Sequence, residues 1–344
     1  MFIVSLVTVG SPDQLTGGYL YHRRMADAAR DHDARIDFTA ARLTHDPLAA
    51  PADVILIDSI AAALVAPWLG RRRRRDRPLA AILHQPPGGI DHGVLRRVAQ
   101  IRLDRALYKR CALLLAASAA LRDELVDVHG FPPARIQVVP PGRDVAPPPD
   151  ERRDLRAGRD AALLSVGNWV VRKGTLQLLD AFARLPAGAA TLHLVGRDDV
   201  EPRYTARVRA RLSAPDLIGR VVVHGPVRRE EVAILYVSAD VFVLPSLREP
   251  YGTVYGEAMA AGLPVVGWRA GNLPNLAEHQ RHGALLEPGD IDALSDALHR
   301  LAVDEPWRRR LADAARRRAE ELPTWRDSTG KFFDALKGLT TNDG

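Results

Sequence analysis

Short apolar runs alternate with longer stretches whose apolar positions recur every three to four residues, and this alternation continues along nearly the whole chain. In the first half the runs Phe2 to Val9, Arg35 to Phe38, Val54 to Ile57, Leu79 to Leu83, Ala112 to Ala116 and Ile136 to Val139 read as strands. Helical periods fall between several of them, as at Gly18 to Arg30 and Val94 to Arg110. A Pro-, Gly- and charge-rich stretch from Pro140 to Arg159 carries no apolar period and reads as a linker. The pattern then restarts, with strands at Leu163 to Val166, Thr191 to Val195, Val221 to Val223, Val241 to Leu244 and Pro264 to Val266. Helices begin after Gly174, Arg203, Arg228 and Thr253. Strands separated by helices call for parallel sheets with crossover connections. The expectation is an α/β chain of two Rossmann-like domains facing across a cleft, with a small-molecule site in the cleft. An amphipathic helix near Trp325 to Leu339 closes the chain.

Length and composition agree. At 344 residues the chain is too long for one ordinary core. It has no apolar run long enough to span a bilayer, and Met1 to Leu6 lacks the charged flank of a signal peptide, so it reads as a first strand. Cys111 is the only cysteine, which excludes an internal disulfide and a Cys-rich metal site; it is expected in a buried strand. Together these features fit a cytoplasmic protein.

The net charge of +6 is unevenly spread. Through Val145 there are 20 Lys and Arg against 15 Asp and Glu, and after it 28 against 27. The excess centres on Arg71 to Arg75 and Arg77. Such a run suits anionic lipid, nucleic acid, an acidic substrate or plain solvation. Nucleic acid is the poorest fit, because no aromatic residues interleave with the arginines.

The densest chemistry lies in Glu249-Pro-Tyr-Gly-Thr-Val-Tyr-Gly-Glu257, followed by Ala-Met-Ala-Ala-Gly-Leu-Pro-Val-Val. Glu249 stands in a loop after an apolar strand. Glu257 stands on a short helix from Val254 to Ala261 that stops at Gly262-Leu263-Pro264. The N–H groups of Gly252 and Thr253, at the helix start, are unpaired by the helix itself and open to a ligand. A second constellation, Gly167-Asn168-Trp169-Val170-Val171-Arg172-Lys173-Gly174, leaves a strand and enters a helix. Two cations beside free N–H groups there make an anion site suited to a diphosphate. Gly17 and Gly18 follow the Ser11 to Thr16 loop and precede a helix, a turn that lets the backbone approach a bulky ligand. They do not form a Gly-x-Gly-x-x-Gly fingerprint, which disfavours a dehydrogenase. His84 ends a strand and opens the loop Gln85-Pro86-Pro87-Gly88-Gly89, where an imidazole can meet a substrate. His92 is a second candidate of this kind.

The Glu249 to Val266 segment resembles the donor-sugar signature of the retaining, nucleotide-sugar-dependent glycosyltransferases of family 4, which have the GT-B fold. Further similarities at Gly17-Gly18, His84, Ala117 to Leu125, Val138 to Asp144 and Gly167 to Gly174 extend the resemblance from Gly17 to about Asp290. Lys173 matches the Lys of the family's phosphate motif, whereas Asn168 stands where the family has Arg, and Arg172 is the neighbouring replacement. Gly271-Asn272-Leu273-Pro274-Asn275 also departs from the family pattern.

The resemblance implies a GT-B hexosyltransferase that passes a sugar from a nucleotide diphosphate donor to an acceptor hydroxyl with retention, using no metal and no cofactor. It implies an acceptor domain over residues 1–145, joined by the final helix (323–340), and a donor domain over 146–322. His84, Glu249, Lys173 and Arg172 are the expected catalytic group. Gly17, Gly18, Asn168, Gly252, Thr253, Val254 and Glu257 are the expected donor contacts, with Glu257 on the ribose. Expected partners are the donor, a small-molecule, saccharide or lipid acceptor, and an anionic membrane met peripherally; nucleic acid is excluded. A sugar-nucleotide epimerase of the same fold and a non-catalytic sugar-nucleotide binding protein are the alternatives. Product stereochemistry and acceptor dependence separate these readings.

Overall fold

The computed structural model describes residues 1–10, 17–42, 44, 46–71, 77–90, 94–144 and 149–341. The loop Ser11 to Thr16, His92, and Arg72 to Arg75 of the arginine run lie outside the described residues. The chain divides into two units, Met1–Asp144 with Pro323–Gly344, and Val145–Leu322.

The first unit contains β1 (Phe2–Thr8), β2 (Ala34–Ala40), β3 (Val54–Asp58), β4 (Leu79–Leu83), β5 (Leu113–Ala116) and β6 (Ile136–Val138), in the sheet order β2-β1-β3-β4-β5-β6. The second contains β7 (Ala161–Val166), β8 (Ala190–Val195), β9 (Val221–Gly225), β10 (Val241–Val243), β11 (Val265–Trp268) and β12 (Gly283–Leu286), in the order β12-β11-β10-β7-β8-β9. Every named pair is parallel. Each sheet therefore has its strand order reversing beside its first strand, at β1/β3 and at β7/β10. Open α/β sheets form a ligand crevice at the C-terminal strand ends there.

The inner strands are largely apolar because both sheet faces are covered, whereas the edge strand β2 carries Arg35 and Asp37 on its open face. In the first unit Ile55, Ile57, Ala81, Leu83 and Leu114 pack on one side. Their alternates Val54, Leu56, Ala80, Ile82 and Leu115 pack on the other, against Tyr21, Met25 and the Phe332, Phe333 and Leu336 of the helix Trp325–Thr341. Period-two alternation along each strand produces this division. The second unit repeats it. Leu163, Leu192, Val243 and Trp268 face one layer, and Leu164, Phe242, Val265 and Leu285 the other.

Several boundaries differ from the sequence pattern. Cys111 is not in a strand; β5 begins at Leu113, and Cys111 is buried in the turn after the helix Val94–Tyr108, its thiol directed at the Leu107 carbonyl at 3.5 Å. Residues 149–160 are not a free linker. Leu155 enters the core of the second unit, and Arg156 pairs with Asp240 at 2.6 Å, so apolar and ionic anchors absent from any periodic signal hold the segment down. Strand β12 and the helices Ile291–Val303 and Glu305–Glu321 complete the second unit beyond the elements expected.

Candidate active site

In the second unit the ends of β7 and β10 bring the expected charges together. After β7 the chain passes through Gly167 and Asn168 to a single tight turn, Val171–Lys173, and then to the helix Thr175–Ala183. Gly174 joins the two at φ 73°, and a Cβ there would sit 2.2 Å from the Pro245 carbonyl oxygen. That contact seats the cationic turn on the segment following β10. The Leu247 N–H donates to the Arg172 carbonyl at 2.8 Å and the Ser246 hydroxyl to the same oxygen at 3.2 Å, which completes the junction.

Lys173 is buried, and its ammonium pairs with the Glu249 carboxylate. The Arg172 guanidinium lies 3.7 Å from the same carboxylate and donates to the Arg248 carbonyl at 3.0 Å. Two cations thus share one carboxylate in a partly desolvated pocket, where Coulomb energies exceed those in open water. The Glu249 backbone is itself clamped. Asn272 donates its N–H to the Glu249 carbonyl at 3.0 Å and its side-chain amide to the Tyr251 carbonyl at 2.9 Å. Gly271, at φ 56°, lies so close that a Cβ would stand 2.8 Å from both the nitrogen and the oxygen of Glu249. The Gly271–Asn275 loop, whose part was open from sequence, therefore holds the Glu249 loop in place.

The helix Thr253–Ala260 begins at Gly252 with no side chain capping it. The N–H groups of Thr253 and Val254 precede the first intrahelical donor, the Tyr255 N–H, which with that of Gly256 takes the Gly252 carbonyl. A Cβ on Gly252 would lie 3.4 Å from Cγ of Glu249, so this uncapped terminus adjoins the Lys173–Glu249 pair. Glu257 is exposed on the same helix and accepts the Tyr236 hydroxyl at 3.3 Å. Burial, followed by the Glu257 charge, pushes the Tyr236 phenol well above its usual range, so it stays a neutral donor. Asn168 is exposed, and its side-chain oxygen accepts the Arg197 N–H at 3.2 Å. It orders the loop after β7 and brings no charge.

The first unit assembles a different cluster at the ends of β1, β3 and β4. Gly17 and Gly18 open the helix Gly17–Ala28, and a Cβ on Gly18 would lie 3.5 Å from the His84 ring. His84 follows β4. Its ring stands edge to face against Tyr21 and His22, with centroids 5.0 Å away in each case, and its Nε2 is buried without a partner. His22 is 1% exposed and Asp58, which ends β3, is 2% exposed; His22 Nε2 lies 2.8 Å from the Asp58 carboxylate. A carboxylate only accepts, so the His22 proton sits on Nε2. Asp58 also accepts the Thr8 hydroxyl at 2.9 Å and the Ile60 N–H at 3.2 Å.

Burial pushes the Asp58 carboxyl up, but the His22 hydrogen bond, the His22 and His84 charges and the Ile60 N–H outweigh it, and Asp58 is held below its ordinary value. Burial and the charge of His22 depress His84 to about 4 against a weaker opposing effect of Asp58, so it is a neutral imidazole at neutral pH. Among the described residues His22, Asp58 and His84 are the one group of three with ligand-type atoms within 4.8 Å of one another.

Sequence reasoning missed His22 and Asp58. The available signal was a carboxylate closing the apolar strand Val54 to Ile57, and a histidine one helical turn beyond Gly18. It also missed Tyr236, Arg248 and Asn272, whose partners lie in other segments and which no local pattern marks.

The chain matches two family models: that of glycosyl transferases group 1 over residues 149–318, and that of glycosyltransferase family 4 over residues 4–146. It is 28% identical to the mannosylfructose-phosphate synthase of Agrobacterium fabrum over 70% of this chain and 56% of that protein. It is 30% identical to a D-inositol 3-phosphate glycosyltransferase of Xylanimonas cellulosilytica over 66% of this chain and 57% of that protein. The chain thus spans little more than half the length of these curated relatives. Among solved structures, the sucrose-phosphate synthase of Thermosynechococcus elongatus superposes with a TM-score of 0.83 at 21% identity, covering 99% of this chain and all of that one. HepE of Anabaena, solved in complex with UDP-glucose, superposes with a TM-score of 0.79 at 20% identity, covering 98% of this chain and all of that one.

Proposed function

We propose that this chain, which belongs to glycosyltransferase family 4 and has the GT-B fold, transfers a hexosyl group from a nucleotide diphosphate sugar to an acceptor hydroxyl with retention of configuration. The observation that carries the reading is the convergence of Lys173, Arg172 and Glu249 beside the uncapped N-terminus of Thr253–Ala260. Two cations and two unpaired N–H groups provide for the negative charge that grows on a departing diphosphate. Glu249 holds the cations in register until phosphate oxygens compete for them, and its carboxylate then accepts from sugar hydroxyls. Glu257, braced by the Tyr236 hydroxyl, accepts from the two ribose hydroxyls. Asn168, Gly252, Thr253 and Val254 complete the donor contacts assigned to the second unit. The UDP-glucose held by HepE supports a nucleotide-sugar donor, and the names of the relatives support transfer of a sugar to a hydroxyl-bearing acceptor.

In the first unit, Gly17 and Gly18 are assigned to a backbone approach to the donor, and His84 to the reacting sugar. The bond from the anomeric carbon to the diphosphate oxygen breaks. The acceptor oxygen bonds to the same face of that carbon, and its proton passes to the leaving phosphate oxygen. A histidine depressed to about 4 is a weak base, which supports this front-face route over deprotonation of the acceptor by His84. Its unpartnered Nε2 serves instead as a hydrogen-bonding contact for a sugar hydroxyl. No metal or cofactor enters the reaction in this reading.

No helix among the described residues is long and apolar enough to cross a membrane. We place the protein in the cytoplasm, meeting anionic membrane peripherally through Arg71 to Arg77. The exposed Val98 and Leu103, beside the exposed Arg102 of the helix Val94–Tyr108, support that contact.

The deciding experiment incubates the protein with a panel of nucleotide sugars and with small-molecule, saccharide and lipid acceptors, reading the anomeric proton of the product by NMR. An α-linked donor is expected to yield an α-linked product at a rate indifferent to chelator. A β-linked product makes His84 the base and overturns retention. Interconversion of the nucleotide sugar without acceptor identifies an epimerase, and binding without turnover a receptor.

A further inference from the structure

We infer that the buried Asp58–His22 pair is a positioning device for His84, and that neither member touches substrate. The inference rests on the reading of His84 as a sugar contact and extends it to the residues behind it. Asp58 reaches His84 by two routes. Through the side chains, its carboxylate fixes the His22 ring at 2.8 Å, and the His22 ring meets the His84 ring at 64° with centroids 5.0 Å apart. Through the backbone, its other oxygen accepts the Ser59 hydroxyl at 3.3 Å, and Ser59 Oγ accepts the His84 N–H at 3.4 Å. Strand register makes both routes available, because Asp58 pairs with Ile82 two residues before His84.

Each member is spent on its neighbours. Asp58 also receives Thr8 and Ile60, and at 2% exposure it has no face left for a ligand. His22, 1% exposed, is enclosed by Tyr19, Tyr21 and His84. A buried carboxylate with this many donors is a rigid anchor, since moving it would strand several polar groups at once. His84 itself has no side-chain hydrogen bond to hold it: its Nε2 is unpartnered. Ring packing against His22 and Tyr21 thus sets where the His84 ring nitrogens point, and a reacting group displaced by about 1 Å can lose on the order of 10²-fold in rate.

The test is a double-mutant cycle between Asp58→Asn and His84→Ala, with transfer kinetics and ring NMR read in parallel. Asp58→Asn is expected to lower kcat by on the order of 10²-fold, with the donor KM moving little. Added to His84→Ala, it is expected to cost nothing further, because a positioning pair has no work left once its ring is gone. Multiplying effects overturn the inference and make Asp58 a stabiliser of the fold. Nuclear Overhauser contacts between the His84 and Tyr21 rings are expected to report one His84 orientation in the parent protein and several in Asp58→Asn; contacts unchanged in the variant overturn the inference whatever the kinetics. If His84→Ala transfers sugar at the parent rate, the sugar-contact reading fails while the NMR arm still decides the positioning. His22→Gln, whose amide can still donate to Asp58, and Ser59→Ala break one route each and replace Asp58→Asn should that variant not fold. Nucleoside diphosphate binding serves as the folding control. Stoichiometric capture of zinc by the parent protein, lost on replacing any of His22, Asp58 or His84, would show a metal centre and overturn the inference.

Discussion

At the end of β10 the carboxylate of Glu249 is neutralised by two cations and left partly open, whereas at the end of β3 the carboxylate of Asp58 is sealed in with a histidine and three further donors. Both lie at the C-terminal edges of parallel sheets, and both stand where the strand order reverses. The first arrangement keeps charge available: in the proposed reaction Lys173 and Arg172 exchange Glu249 for phosphate oxygens. The second spends its charge on rigidity and leaves a neutral, largely enclosed imidazole beside Gly18. A sheet edge can thus be built to answer a ligand's charge or to aim an uncharged group, and the partners of the carboxylate decide which.

The widest separation between the two regions should come from Lys173→Ala. It removes a contact that strengthens as the diphosphate departs and leaves Glu249 one cation short, so kcat/KM should fall by about 2–4 kcal/mol in transition-state terms. Steady-state kinetics that match the parent protein would take the cationic region out of the reaction.

The imidazole region is probed by acid. His84 is depressed from the usual 6.5 to about 4, so the unfolded chain binds its proton first, and stability is lost as pH falls from about 6.5 toward 4. The shift corresponds to about 3 kcal/mol at full extent. The depressed His129, His193, His224 and His282 act in the same direction. Asp104, pushed up to about 6 chiefly by burial, acts oppositely, losing stability as pH rises through that value. Asp58 acts only below the ordinary carboxylate value. Urea unfolding of His84→Asn beside the parent protein cancels these shared contributions. A flatter pH slope in the variant is expected, and equal slopes would mean that His84 titrates normally.

Gly271→Ala tests how tightly the first region depends on its clamp. The residue would have to accept φ 56° and a Cβ 2.8 Å from the Glu249 backbone. A cost of roughly 1–3 kcal/mol is expected, visible as a lower Tm together with lost activity. Full activity would show that the Glu249 loop tolerates displacement.

Smaller still, Glu257→Gln keeps the shape but removes the charge and leaves one acceptor oxygen in place of two. Calorimetry with a nucleoside diphosphate should find affinity weaker by about 1–2 kcal/mol. Indifference would return Glu257 to an ordinary surface position braced by Tyr236. The smallest effect concerns Arg71 to Arg77. Vesicle binding should rise with anionic lipid content and fall with salt, and replacing the five consecutive arginines should abolish it without changing turnover of a soluble acceptor. Equal binding to neutral vesicles would dissociate the run from lipid charge.

What was legible from residues alone follows from how far apart the interacting groups lie in the chain. The alternation of apolar strands and periodic helices yielded two parallel sheets, because burial on both faces imprints an apolar run on the inner strands. The start of the Thr253–Ala260 helix was legible to within a residue. Glu249 and Lys173 could each be named from its own segment, since strand end, loop and helix start are local. Their union was not legible: 76 positions separate them, and only the adjacency of β7 and β10 closes that distance. Residues 149–160 misled for the same reason, as Leu155 and Arg156 find their partners in distant segments.

The sequence by itself determined which residues could carry charge to a strand end, and where helices would begin with free N–H groups. Tertiary structure decided what those groups meet. It set Glu249 between two cations, locked its backbone with Gly271 and Asn272, and enclosed His22 and Asp58 behind His84. The physical reason is that secondary structure answers to neighbours within a few residues, whereas desolvation and ion pairing answer to whatever the sheet order brings within a few ångströms.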